Sequence, residues 1–160
     1  MGVIGVDSSG IIKDPPEPVW MAAVRKAQVQ KHNILYLSES ECAKYRKMIP
    51  EEWWRERIGA ALAFKSLLPL IKHSDIIQIH EDWKGKRRRK IVERYLRRMF
   101  GIKFLGRHPL NNPKIQFISG GGTLDIQLAD RKSWKARHGW NDCVFNCPDL
   151  SNLLKDLNGV

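Results

Sequence analysis

The sequence predicts an α/β fold, a mixed five-stranded sheet flanked by helices, and three observations carry that expectation. Three short apolar segments with brief connections open the chain, as an antiparallel meander would. Segments of helical period then alternate with short apolar runs, the pattern of strands joined through helices. The 160 residues, 42% hydrophobic and 9% aromatic, suit one domain over 1–160 with a buried core, and they exclude wholesale disorder.

Val3-Ile4-Gly5-Val6-Asp7 reads as the first strand, closed by the turn residues Ser8, Ser9 and Gly10. Asp14-Pro15-Pro16-Glu17-Pro18 is a hairpin loop, because proline removes backbone donors and fixes φ. Val19–Val24 and Asn33–Leu37 are the second and third strands. A helix follows from Pro50-Glu51-Glu52, where a proline and acids suit the N-terminal end and its dipole. Trp54, Ile58, Ala61, Leu62 and Leu68 form its apolar stripe, Lys65 interrupts it, and Pro69 ends or kinks it. Ile76–His80 is the fourth strand. The next helix, about Arg87–Phe100, carries Ile91, Val92, Tyr95, Leu96 and Met99 at helical spacing and ends at Gly101. Lys114–Ile118 is the fifth strand, Gly120-Gly121-Gly122 a turn, and about Leu124–Arg137 the third helix. Pro148–Leu157 makes one more short helix. The main order is β-β-β-α-β-α-β-α.

Lysine and arginine number 28 against 17 acids, a formal charge of +11 with a pI near 9.8. Such an excess points to a polyanionic partner, nucleic acid first. No stretch approaches the ~20 apolar residues of a membrane span, and the N-terminus lacks a basic segment followed by an apolar run. A cytoplasmic location with no membrane association is therefore expected. Three cysteines suit a reducing compartment better than a disulfide framework, and Cys143-Val144-Phe145-Asn146-Cys147 lacks a standard zinc spacing. The run Lys84-Gly85-Lys86-Arg87-Arg88-Arg89-Lys90, continued by Arg94, Arg97 and Arg98, is a candidate phosphate-binding surface. Trp83 beside it is a candidate stacking residue. The competing reading is a solvated helix face. Lys132, Lys135, Arg137 and His138 form a second positive surface beside Asp130.

Four positions hold acids in suggestive places. Asp7 ends an otherwise apolar strand, where a carboxylate is costly to bury unless it is paired, ligates a metal or reaches solvent. A turn-capping aspartate bonding the amides of Ser9 or Gly10 is the alternative. Glu56 precedes the small residues Gly59, Ala60, Ala61 and Ala63, and no base lies three or four positions away to neutralise it. Its alternative is a solvated surface acid. Beyond the fourth strand, alternation places Gln78, His80 and Asp82 on one face and Ile77, Ile79 and Glu81 on the other. That favours Asp82 as a site acid, with Glu81 retained if the strand ends early or bulges. Asp130 follows Leu124, Ile126, Leu128 and Ala129 and is expected to face inward or toward a cleft, whereas Asp125 caps the helix start. Acids from a strand, a helix, a strand end and a late helix are the pattern of a carboxylate cluster at the end of a sheet. Clustered carboxylates repel unless divalent cations neutralise them, and hard oxygen ligands select Mg²⁺ or Mn²⁺. Two such ions can activate a water and stabilise the leaving oxygen in phosphodiester cleavage.

In these residues the chain resembles the ribonuclease H-like superfamily, which also contains Holliday-junction resolvases and integrases. Ile4-Gly5-Val6-Asp7-Ser8-Ser9-Gly10 is similar to its first strand and leading aspartate. Glu56 with Ile58–Ala63 resembles its first-helix glutamate, Ile76–Asp82 its fourth strand with a terminal acid, and Gln127-Leu128-Ala129-Asp130 its closing helix motif. The order of elements agrees over nearly the whole chain. The resemblance implies a DEDD-type site at Asp7, Glu56, Asp82 and Asp130, with Glu81 as the other choice for the third acid. It also implies bound Mg²⁺ or Mn²⁺ and a nuclease acting on RNA, DNA or a hybrid. A non-catalytic nucleic-acid-binding module of the same fold is the second reading, and a basic protein that binds a protein partner is the third.

Overall fold

The computed structural model describes residues 2–25, 31–49, 52–73, 75–80, 85–119, 124–140 and 144–156. Strands β1 (Val3–Ser9), β2 (Val19–Arg25) and β3 (Lys31–Leu37) form the antiparallel meander. Strands β4 (Ile76–His80) and β5 (Lys114–Ile118) add in parallel on the other side of β1, so the sheet is open and mixed, in the order β3-β2-β1-β4-β5. The helices are α1 (Glu39–Met48), α2 (Trp54–Leu67), α3 (Lys86–Lys103), α4 (Leu124–Arg137) and the short α5 (Ser151–Asp156).

Alternation along β1 divides its side chains between two layers. Ile4 and Val6 join Met21, Ala23, Leu35, Ile77 and Ile79 in the main core, which α1, α2, α3 and α5 cover with Tyr45, Ile58, Leu62, Leu96, Phe100 and Leu154. Gly5, Asp7 and Ser9 lie on the opposite face, paired with Val24, Ala22 and Trp20. There α4 packs, closing a smaller cluster of Ala22, Val24, Ile34, Ala129 and Ala136. Gly5 lets that helix approach: a Cβ built on it would lie 2.4 Å from the Asp125 carbonyl carbon.

The helices differ most from the sequence expectation in three places. First, α1 is an additional helix between β3 and α2. Only Cys42 and Tyr45 of its residues are buried, too few to raise a helical period, although Ser38 Oγ accepts the Glu41 amide at 3.2 Å. That is the S-x-x-E signature of a helix start. Second, α2 begins at Trp54 rather than at Pro50; Pro50 and Glu51 lie outside the described residues. Third, Gly101 does not end α3, which runs on to Lys103. Burying Phe100 and stacking Phe104 on it outweigh the ~1 kcal/mol that an interior glycine costs a helix. Strand β1 also continues through Ser8 and Ser9, and the chain turns at Gly10, where φ is +94°.

At the amino end of β1 the sheet is closed by a buried ion pair between Arg25 and Asp75. The Lys72 amide donates to Asp75 at 2.6 Å, and Gly2 lies so close that a Cβ would meet both side chains. Burial pulls the Arg25 pKa down, and the nearby charge of Asp125 opposes that pull. Among the described residues no helix is long and apolar enough to cross a membrane.

Candidate active site

Strands β1 and β4 are adjacent and parallel, so both finish at the same edge of the sheet. Asp7 sits there, only 4% exposed. The register Val6↔Ile79 brings His80 beside it, with Nδ1 3.5 Å from Asp7 Oδ1. The same oxygen accepts the Ser8 amide at 2.8 Å. A recess of about 30 Å³ opens against Asp7, Ser8 and His80, with apolar walls from Val6, Met21 and Ile79. That is room for a water molecule or two.

Glu56 lies toward this same end. The Asn33 side chain donates to the Ser66 carbonyl, which sets the C-terminal turn of α2 near the start of β3. The first turn of α2, with Glu56, therefore points toward the edge where β1 and β4 finish. Helix α3 starts six residues after β4 ends, and its Arg88 places Nε 3.7 Å from Glu56 Oε1. Glu56 is buried, whereas the Arg88 side chain is half exposed. The neutralising base thus comes from a different helix, which local spacing along α2 could not reveal.

The basic run occupies the start of α3. Lys86, Arg87, Arg88, Lys90 and Arg94 are exposed and Arg89 is half-buried. Arg87 lies over the Trp53 ring at 5.0 Å, so the α2 and α3 starts meet in a cation–π contact. Arg97 has another job. It bonds Glu93, the Asn112 side chain at 2.7 Å and the Pro113 carbonyl at 2.6 Å, tying α3 to the segment before β5. It therefore leaves the proposed phosphate-binding surface.

Of the two placements expected of Asp130, inward or toward a cleft, the inward one does not hold. Residues Ile126, Ala129, Ser133 and Ala136 form the sheet-facing stripe of α4, and Asp130, one position past Ala129, is exposed. The structure thus sets Asp7 beside His80 and Glu56 beside Arg88, while Asp130 is exposed on α4. Glu81, Asp82, Trp83 and Lys84 lie outside the described residues. Among the described residues no group of three or more His, Cys, Asp or Glu side chains is gathered to hold a metal ion.

Sequence reasoning missed His80 and Trp53 as members of this end. Alternation already set His80 on the polar face of β4; the missing piece was the register that lays it against Asp7. No family model matches the chain, and no curated protein matches it.

Proposed function

We propose that the chain is a metal-dependent nuclease of the ribonuclease H-like kind, hydrolysing phosphodiester bonds of RNA, DNA or a hybrid in the cytoplasm. The observation that carries this reading is the buried Asp7 at the carboxyl end of β1, beside His80 on the adjacent parallel strand, with the arginine-rich start of α3 close behind. A buried carboxylate beside a partly exposed imidazole, at an open recess, is an arrangement that a folded core does not need.

The donor chemistry fits a hard cation only in part. Asp7 and Glu56 would supply carboxylate oxygens for Mg²⁺ or Mn²⁺, and Asp82 or Glu81, directly after β4, would supply the next. Asp130 is exposed on α4. A divalent cation bound there supplies an activated water and stabilisation of the leaving oxygen. The chain's own work is positioning. Lys86, Arg87, Arg88, Lys90 and Arg94 hold backbone phosphates, while the acids repel an un-neutralised strand from the centre.

The test is cleavage of labelled RNA, DNA and hybrid substrates with and without Mg²⁺, by the wild type and by Asp7→Asn. Cleavage should fall by orders of magnitude in the variant, since loss of the metal removes water activation and leaving-group stabilisation together. Binding without metal should be kept, because a charge that repels phosphate has gone. Wild-type rates from folded Asp7→Asn protein would remove Asp7 from the site. The second reading, a binding module without cleavage, is favoured by one contact: Glu56 already has Arg88 as a counter-ion. It expects wild-type protein that binds these substrates and cuts none of them.

A further inference from the structure

The last turns of α4 carry an aromatic and cationic cluster that the proposed cleavage site does not use. Trp134 and Trp140 are 47% and 49% exposed, too open to serve the core. Their rings are nevertheless held in place. Trp134 stacks on His138 with centroids 4.1 Å apart and planes 27° apart. His138 Nδ1 donates to the Trp134 carbonyl at 2.8 Å, since a carbonyl oxygen only accepts. Trp140 is folded back by a Schellman cap. The Gly139 amide donates to the Ala136 carbonyl at 3.2 Å and the Trp140 amide to the Lys135 carbonyl at 3.1 Å. That reversal needs the positive φ of +73° at Gly139. The Trp140 ring then lies 6.4 Å from Trp134 and under the Lys135 ammonium, 4.8 Å from its centroid.

Charge surrounds the rings. Arg131, Lys132, Lys135 and Arg137 fall within residues 131–140, and that stretch contains no acid. Arg137 Nη1 donates to Ser9 Oγ at 3.4 Å, which pins this end of α4 to the strand that carries Asp7. An apolar protein partner would have to desolvate these bases. A nucleic-acid strand offers both complements at once, phosphates for the bases and flat ring faces for the tryptophans.

We infer that this cluster binds the unpaired bases of a single-stranded nucleic-acid segment. Trp134, His138 and Trp140 stack on bases, and Lys132, Lys135 and Arg131 hold the phosphates. The inference rests on the nucleic-acid reading above and narrows it to substrates with an unpaired stretch beside the cleavage position. Base–ring stacking is tolerant of sequence, so any single strand should serve.

The full chain in EDTA is titrated against labelled oligothymidylate, a blunt DNA duplex, and heparin, which is polyanionic but has no bases. In Trp134→Ala/Trp140→Ala protein, affinity for oligothymidylate should fall roughly 5- to 100-fold, the range expected for one or two lost stacking contacts. Its salt slope should stay unchanged, because no phosphate contact is lost. Affinities for duplex and heparin should match the wild type. Trp134→Phe/Trp140→Phe keeps flat rings and should retain most single-strand affinity, which separates stacking from any loss of folding. The inference is overturned if the Ala variant binds oligothymidylate like the wild type, if heparin binding falls equally, or if the wild type prefers duplex. Wild-type protein that binds no polynucleotide at low salt would instead sink the nucleic-acid reading itself.

Discussion

Two aspartates are buried at opposite ends of the same sheet, each accepting a backbone amide, and they differ in what else they face. Asp75 is 3% exposed at the amino end, against an arginine that is itself 5% exposed, with a backbone amide on one oxygen and Gly2 packed over the pair. Asp7 is 4% exposed at the carboxyl end, against a histidine whose side chain is 29% exposed, at the mouth of a recess. Burial therefore does not distinguish them. What does is the partner. A buried guanidinium cannot lose its charge, so Asp75 faces a permanent cation inside the fold. An imidazole can be neutral, so the charge that faces Asp7 can change while the charge that faces Asp75 cannot.

The largest effect that could break this contrast is on stability. Asp75→Asn leaves Arg25 charged and buried without its paired carboxylate, with only the nearby charge of Asp125, and should cost about 3–5 kcal/mol of unfolding free energy in urea. Asp7→Asn keeps an oxygen able to accept the Ser8 amide, and should cost no more than about 1.5 kcal/mol. Equal losses would mean that Asp7 is a structural residue like Asp75, and the proposed site would lose its centre.

The contrast also explains what was legible. Strands β4 and β5 and helix α4 match their expected bounds, because local alternation and helical period are properties of short windows. Asp7 stood out because an acid closing an apolar strand breaks that local pattern. His80 and Arg88 did not, since each reaches its acid through a register or a helix crossing set by residues far away in sequence. Asp130 misled for a different reason. Leu124, Ile126, Leu128 and Ala129 look like the inner stripe, yet Leu124 is 47% exposed and the stripe continues through Ser133. A buried serine there is tolerable because its hydroxyl donates back to the Asp130 carbonyl at 2.9 Å.

A smaller effect sharpens the comparison by separating α4 from the ends it spans. A Cβ on Gly5 would lie 2.4–2.6 Å from three backbone atoms of Asp125 and Ile126, none of which can rotate away. Gly5→Ala should therefore cost about 1–3 kcal/mol, as overpacking does. Gly101 is the control. It lies within α3 with nothing within 4 Å of its would-be Cβ, so Gly101→Ala should stabilise by about 0.5–1 kcal/mol. If Gly5→Ala proves as harmless as Gly101→Ala, α4 is not seated on β1 as described, and Arg137 would not hold its aromatic end beside Ser9.

The smallest effect concerns pH, and it asks whether burial elsewhere is as purely structural as at Asp75. Burial pushes the Cys42 thiol above its ordinary value of 9.0, although Arg46 partly opposes this. Burial also raises the Tyr45 hydroxyl above 10.0, against the opposing bond from the Leu150 amide, which donates to it at 3.1 Å. Both groups bind their proton more tightly in the folded chain than in the unfolded one. Their contribution is therefore fully present below pH 9 and is lost as pH rises through the folded values, by at most about 1.4 kcal/mol per pH unit for each group. On the alkaline side, stability measured in urea should accordingly decline above about pH 9, with Cys42→Ala removing the first part of the decline. Thiol labelling at pH 8 should modify the exposed Cys147 quickly and reach the buried Cys42 only as fast as the chain opens. Cys42 labelled as fast as Cys147 in folded protein would show that α1 is not packed against the core, and burial there would then say nothing about structure.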